Sequence, residues 1–226
     1  RGALERDGAP PLYYVLLHGW MRAFGTGDIA ARALSGALGV AMLPLAFLAG
    51  RRLGGGDPDA RRWVAWSAVL VVASSPYAIR YSTEARMYML AMDLVLLGYL
   101  AVQAAVARPT LMRLSVVALV AGALLYTQYW TIFLLGVFGA LMLGRALLGP
   151  RSERATAWRL VGALAAGGVL FLPWLPTFVS QMQHTGTPWD TPVSPPTNAA
   201  LGIVDFAGGR MLEGWSLVLP LVLLAL

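Results

Sequence analysis

The sequence contains no cysteine and no lysine, and only 12% of its 226 residues carry a charge. The absence of cysteine excludes disulfide bonds and thiolate metal sites. Globular domains are about 25% charged, whereas 58% of this chain is hydrophobic and its mean hydropathy is +0.66. The composition therefore indicates an integral membrane protein, with the lipid bilayer as its first partner.

All 17 basic residues are arginines, and the net charge is +6. Apolar segments separate three groups of them, which are Arg51, Arg52, Arg61 and Arg62, then Arg108 and Arg113, then Arg145, Arg151, Arg154 and Arg159. If a helical hairpin joins each group to the next, all three lie on one face, which the positive-inside rule makes cytoplasmic. We therefore expect no nucleic-acid partner, and a bacterial plasma-membrane protein whose site faces the extracytoplasmic side, here called the outer side.

The apolar segments are long enough for several spans, because one crossing needs about 20 residues. Spans are predicted near residues 28–50, 63–75, 84–107 and 160–179, with two more between Arg113 and Arg145 and another starting near residue 212. Prolines 44, 173 and 176 are expected to kink their helices, and residues 180–198 to form an outer loop. The predicted fold is an all-helical transmembrane bundle of about six to seven spans, with no soluble domain, in which residues 1–226 form a single domain truncated at both ends.

The stretch YAIRYSTEARMY, residues 77 to 88, places two cations, an anion and three tyrosines between two apolar helices. Its helical spacing predicts an ion pair between Arg80 and Glu84 and a shared face for Tyr81, Glu84 and Tyr88. One interpretation is an ion-pair network that pins a turn. The other is a binding site, because arginine forks bind phosphate oxygens bidentately.

A carboxylate inside hydrocarbon is costly unless it is paired. Asp93 is therefore expected to face the bundle interior, with Arg86 or Arg32 as its partner. Arg32 has two possible roles, an ordinary anchor at the end of its helix or a second phosphate ligand.

Three other outer segments carry polar and aromatic residues, namely residues 10–20, 126–130 and 184–190. The first, PPLYYVLLHGW, is too short to span and predicts an interfacial helix that opens after paired prolines. Four such segments on one face predict a cavity. The tyrosines and His18 of residues 10–20 also fit an ordinary interfacial aromatic belt.

Five blocks carry a family resemblance: DGAPPLYYVLLHGWMRAFG, ARALSGALGVAMLPLAFLAGRRLGG, SPYAIRYSTEARMYML, LLYTQYW and FLPWLPTFVSQ. In this order the chain resembles the GT-C class membrane glycosyltransferases related to protein O-mannosyltransferases and aminoarabinose transferases, often called family 39. The chain departs from the family at two positions, since Ala9 and Gln128 stand where members commonly have histidine. Any contact that those histidines make in relatives is then absent here.

The resemblance implies inverting transfer of a sugar from a polyprenyl-phosphate donor to an extracytoplasmic protein, lipid or glycan acceptor. It places the catalytic base in a loop upstream of residue 1, since Glu5 and Asp7 lie too close to Pro10 for that role. It matches Glu84 to an acidic position of the second outer loop, where it would orient the acceptor, hold a divalent metal ion or position Arg80. The catalytic candidates are Glu84 and Arg86, and the substrate-binding candidates are Arg80, Tyr81, Tyr88, Pro11, Tyr13, Tyr14, His18, Arg32, Tyr126, Gln128 and Tyr129.

Two other functional classes stay open on the sequence. A transporter or flippase for a lipid-linked substrate would line a pathway near mid-membrane with charges, and Asp93 is the one residue clearly placed for that. A catalytically inactive assembly subunit is compatible with all of these candidate residues.

Overall fold

The computed structural model describes residues 9–184 and the isolated positions Thr197 and Leu201. Every secondary-structure element in this part is helical, which confirms the predicted class. The helices are α1 (Leu12–Phe24), α2 (Asp28–Leu53), α3 (Pro58–Ser74), α4 (Pro76–Ser82), α5 (Tyr88–Ala107), α6 (Leu111–Thr127), α7 (Thr131–Leu148), α8 (Arg151–Phe171) and α9 (Leu175–His184), with a 3-10 turn at Leu172–Trp174. The predictions for Glu5, Asp7, the loop beyond residue 184 and the span near residue 212 lie outside the described residues.

Four helical stretches are long and apolar enough to cross a membrane: α2, α5, α7 and the run Arg151–Gln183. Helix α6 is a shorter apolar helix. In the most apolar window of α7 only 11% of the residues are buried inside the protein. Because exposed apolar surface on this scale is rare in soluble monomers, lipid is the natural cover for it, and the protein is an integral membrane protein.

Several helices begin where the sequence supplies a cap. The side chain of Asp57 accepts a hydrogen bond from the backbone N–H of Ala60 at 2.9 Å, and Pro58 follows at the first helical position of α3. Ser75 and Pro76 open α4 in the same way. Proline suits that position because its missing N–H would have no helical partner there.

Helices α6 and α8 approach each other closely. A Cβ added to Gly167 would lie 2.7 Å from the carbonyl oxygen of Ala118 and 2.7 Å from Cβ of Ala121, so glycine at this position allows the two backbones to touch. Helix α7 packs mainly on α8 and much less on its sequence neighbour α6. The core therefore lies along α2, α5, α6 and α8, and α7 covers only part of it.

Several helix bounds differ from the sequence-based predictions. The helix expected from residue 84 begins at Tyr88, and residues 83–87 form a non-helical turn. Neither Glu84 nor Arg86 is buried, so burial does not favour a helix over these residues. Helix α9 continues to His184, past the predicted loop start at residue 180. Helix α2 contains Pro44 and continues past it to Leu53. At Pro173 the expected change occurs, because this proline lacks an N–H for the helical ladder and the chain becomes 3-10 there.

Candidate functional site

The turn between α4 and α5 gathers the charged and aromatic residues of the stretch 77–88. The Arg80 side chain lies 3.3 Å from the Glu84 carboxylate, measured from Nε to Oε1, and its guanidinium carbon lies 5.8 Å from the centre of the Tyr81 ring. The Tyr81 ring contacts Tyr77 at 4.4 Å and Tyr88 at 4.3 Å between centroids. The predicted Arg80–Glu84 pair is confirmed, although the two residues belong to a helix end and a turn rather than to one helix.

The α4–α5 turn is held in place by its own hydroxyl groups and by α2. The hydroxyls of Ser82 and Thr83 donate to the carbonyl oxygens of Ile79 and Arg80, each at 2.7 Å, and so satisfy the end of α4. A Cβ on Gly39 of α2 would lie 2.9 Å from Cβ of Ser82. Helix α4 therefore packs on the N-terminal half of α2, where Gly39 has no side chain.

Charged groups around this turn differ in exposure. The Arg80 side chain is 65% exposed and that of Glu84 33%, and Arg86 is also exposed. Arg32 and His18 are exposed as well. Among residues 9–184, no acidic side chain forms an ion pair with Arg86 or Arg32. These guanidinium groups face the surroundings of the protein, where an anion could reach them.

Asp93 is buried in α5, as the sequence predicts. Its expected pairing with Arg86 or Arg32 is wrong, since neither arginine lies within ion-pair distance, and the Oδ1 atom has no hydrogen-bond partner in the described part of the chain. The pairing fails because α5 starts after Arg86, which leaves that arginine in the turn and not on the stripe of Asp93.

Helix α1 is fixed to α2 by two side chains. The buried Tyr13 hydroxyl shares a 2.8 Å hydrogen bond with the Ser35 hydroxyl, and the Trp20 indole donates to the carbonyl oxygen of Ala30 at 2.9 Å. Burial raises the pKa of Tyr13, and the bond to Ser35 opposes that shift. Tyr14 packs edge-on against Tyr13. Tyr13 therefore anchors the helix, and its hydroxyl does not face an open cavity.

The tyrosines of the α6–α7 turn are engaged with the segment that follows α8. The Tyr126 hydroxyl donates to the carbonyl oxygen of Leu170 at 3.0 Å. The Tyr129 hydroxyl donates to Oε1 of the buried Gln181 and accepts from the Trp174 indole at 2.9 Å. Burial raises the pKa of Tyr129, and the bond from Trp174 lowers it. A sugar could accept a hydrogen bond from either hydroxyl only by displacing the present acceptor.

Trp174 and Gln181 were not predicted as site residues. The block FLPWLPTFVSQ contains both, but nothing in their spacing indicates that they reach a turn about fifty residues earlier in the chain. Phe171 and Phe178 complete this group with ring contacts to Tyr129. Among residues 9–184, no ring of this group contacts Tyr81 or Tyr88, so the structure separates the tyrosines of the α6–α7 turn from those of the α4–α5 turn.

A shallow apolar groove of about 310 Å³ lies between α1 and Tyr126. Pro11 and Leu12 line one side, and Tyr126 and Leu170 line the other. Gln128 follows Tyr126 by two residues in the sequence. Its backbone carbonyl oxygen accepts a hydrogen bond from the Thr131 hydroxyl. Two of the predicted substrate-binding residues, Pro11 and Tyr126, thus line the same groove.

In the described part of the chain, Glu84 does not belong to a cluster of potential metal ligands. Among the described residues no three histidine, aspartate or glutamate side chains form a group that could hold a metal ion. The function proposed for this protein has no step that passes through a metal.

Comparison of the chain with protein-family models, with curated proteins and with solved structures finds no match.

Proposed function

We propose that this protein is a membrane glycosyltransferase with a GT-C-like bundle of six or seven spans. It transfers a sugar from a polyprenyl-phosphate donor to an acceptor on the outer side, with inversion at the anomeric carbon. The observation that carries the proposal is the exposed guanidinium of Arg80, held between the Glu84 carboxylate and the Tyr81 ring at the end of a short helix. The sequence resemblance described above motivates the choice of reaction.

The chemistry gives Arg80 and Arg86 a defined task. The acceptor oxygen attacks the anomeric carbon as the bond from that carbon to the phosphate oxygen breaks, and the phosphate leaves with the bonding electrons. A fixed cation beside the departing phosphate stabilises the charge that develops. Arg80 is oriented for this by its ion pair, which makes Glu84 a positioning residue, and the exposed Arg86 adds a second cation.

The acceptor must lose its proton to a general base during the attack. No described residue is assigned that role, and we place it in the upstream loop that the resemblance implies. Tyr81 and Tyr88 offer ring faces beside Arg80 on which a sugar can stack. Tyr13, Tyr126 and Tyr129 support the site by holding α1 and the α6–α7 turn in place.

The test is transfer from a radiolabelled polyprenyl-phosphate sugar in membranes that contain the protein. We expect Arg80→Ala, Glu84→Gln and Arg86→Ala to reduce turnover at least about tenfold, the scale of losing one charge-stabilising contact in a transition state. Arg22→Ala is the matched control, because Arg22 is an exposed arginine in the last turn of α1. Normal expression with unchanged turnover in all three variants would refute the proposed site.

The unpartnered Asp93 favours a second candidate, a transporter or flippase for a lipid-linked substrate. A buried carboxyl within a candidate span is a common element of ion or proton pathways. This candidate predicts movement of a fluorescent lipid-linked substrate across proteoliposome membranes, lost in Asp93→Asn and retained in Asp93→Glu. Transport that is unchanged in Asp93→Asn, or absent from the wild type, would exclude it.

A further inference from the structure

A slot of about 240 Å³ opens between α5, α6 and α7, because α7 leans on α8 and leaves α6 partly uncovered. Apolar side chains make almost all of its wall. The lining residues are Val95, Gly98, Tyr99, Val102, Val117, Val120, Ala121, Leu124, Leu134, Leu135, Phe138 and Leu164. Since α5 and α7 are candidate spans, the slot lies at the depth of the hydrocarbon.

The shape of the slot follows the helices. Its wall on α5 runs from Val95 to Val102 and its wall on α6 from Val117 to Leu124, which at the helical rise is about 10 Å along each axis. A spanning helix and a lipid chain both lie roughly along the membrane normal. An elongated apolar slot parallel to the helices therefore matches one extended hydrocarbon chain, whereas water does not fill an apolar space.

The end of the slot nearest the arginine groups carries positive charge. Arg108 follows Val102 by about 9 Å along α5, and Arg113 precedes Val117 by about 6 Å along α6. The Arg113 side chain donates to the carbonyl oxygen of Ala104 at 2.7 Å, which fixes it at the end of α5. Arg108 is exposed, and its guanidinium has no ion-pair or hydrogen-bond partner among the described residues.

We propose that this slot and its two arginines form a binding site for one anionic phospholipid of the leaflet on the arginine-bearing side. An acyl chain fills the slot between α5, α6 and α7, and the phosphate meets Arg108 and Arg113. Charge complementarity selects a phospholipid over an uncharged hydrocarbon, because each arginine at the membrane surface attracts anionic headgroups. The site is separate from the outer turn that contains Arg80, and it does not depend on the proposed transferase reaction.

Val95 and Leu97 provide a matched pair of variants. Both lie on α5, and their side chains are 38% and 39% exposed, but only Val95 lines the slot. Val95→Trp fills the slot, while Leu97→Trp places the same ring in bulk lipid. In native mass spectrometry of the protein released from phosphatidylglycerol and phosphatidylcholine nanodiscs, we expect the wild type and Leu97→Trp to retain one phosphatidylglycerol. We expect Val95→Trp to retain at least about tenfold less, since several buried methylene groups lose their cover.

The headgroup contact is tested with Arg108→Gln, which we expect to reduce retention about fivefold, the effect of one surface arginine on an anionic lipid. Arg151→Gln is its control, because Arg151 is an exposed arginine of the third group that does not adjoin the slot. Equal retention by Arg108→Gln and Arg151→Gln would refute the headgroup assignment.

A measurement on the unmodified protein covers the case in which Val95→Trp does not fold. A phosphatidylglycerol with a photoreactive acyl chain should crosslink to peptides that contain residues 95–102 or 117–124. Crosslinks spread evenly over α7 and α8 would overturn the proposal. So would retention of an added polyprenyl phosphate in place of the phospholipid, or a dimer mass without lipid.

Discussion

The hydroxyl of Tyr129 donates a hydrogen bond to the buried amide oxygen of Gln181, fifty-two residues away in the chain. The same hydroxyl accepts from the Trp174 indole. The Tyr129 hydroxyl thus connects the α6–α7 turn to residues on both sides of Pro176, in the segment after α8. The 3-10 turn at Leu172–Trp174 ends just before this proline, so these side-chain bonds hold the segment next to the place where the α helix is interrupted.

Tyr129→Phe should lower the free energy of unfolding by about 1–3 kcal/mol, because a buried amide oxygen loses its donor. The measurement is thermal unfolding in detergent. Trp130→Phe is the control, since the neighbouring Trp130 side chain is 73% exposed and should change the melting temperature little. Equal melting temperatures for the wild type and Tyr129→Phe would show that the contact does not stabilise the fold.

Two adjacent glycines of α8 should respond oppositely to alanine. A Cβ at Gly167 would meet the α6 backbone at 2.7 Å, whereas one at Gly168 has nothing within 4 Å. We expect Gly167→Ala to destabilise by about 1–3 kcal/mol through overpacking. Gly168→Ala should be neutral or slightly stabilising, because alanine is the better helix former. A similar melting temperature for both variants would contradict the close α6–α8 contact.

The Tyr13–Ser35 hydrogen bond predicts a double-mutant cycle with coupling. Both residues are fully buried, so Tyr13→Phe and Ser35→Ala each leave one polar group unsatisfied, and each should cost about 1–2 kcal/mol. The double variant removes both groups and should cost less than the sum. Additive losses in chemical or thermal unfolding would mean that the two hydroxyls do not interact.

Tyr13 also predicts a pH dependence. Burial raises its pKa, so the folded protein keeps the phenol neutral to higher pH than the unfolded chain does. The associated stability is complete below the unfolded pKa of about 10 and is lost as the pH rises through the higher folded value. Wild-type melting temperature should therefore fall more steeply at alkaline pH than that of Tyr13→Phe, and parallel curves would contradict this.

The Arg80–Glu84 pair should matter little for stability. With 65% and 33% of these side chains exposed, solvent screens their attraction, and Glu84→Gln should change the free energy of unfolding by less than about 1 kcal/mol. Loss of sugar transfer in this variant would then report on the site and not on folding. A large drop in melting temperature would instead make the pair a structural element.

The sequence by itself predicted that the chain is helical and membrane-embedded, and it predicted the approximate position of most helices, although not their exact ends. Hydropathy and prolines act within one or two turns of the chain, so the interruption at Pro173 could be predicted locally. It also predicted the Arg80–Glu84 pair, because those residues are four apart. The helix predicted over residues 84–107 nevertheless starts at Tyr88, since the local charge pattern does not show where the chain turns.

Only the tertiary structure decided which distant side chains meet. It paired Tyr129 with Gln181 and Tyr13 with Ser35, left Asp93 without the arginine that its spacing suggested, and opened the slot beside α7. Such contacts depend on how helices lean and how closely their backbones approach. In a bundle where nearly every face is apolar, hydropathy does not distinguish a helix neighbour from lipid, and glycines such as Gly167 set the packing.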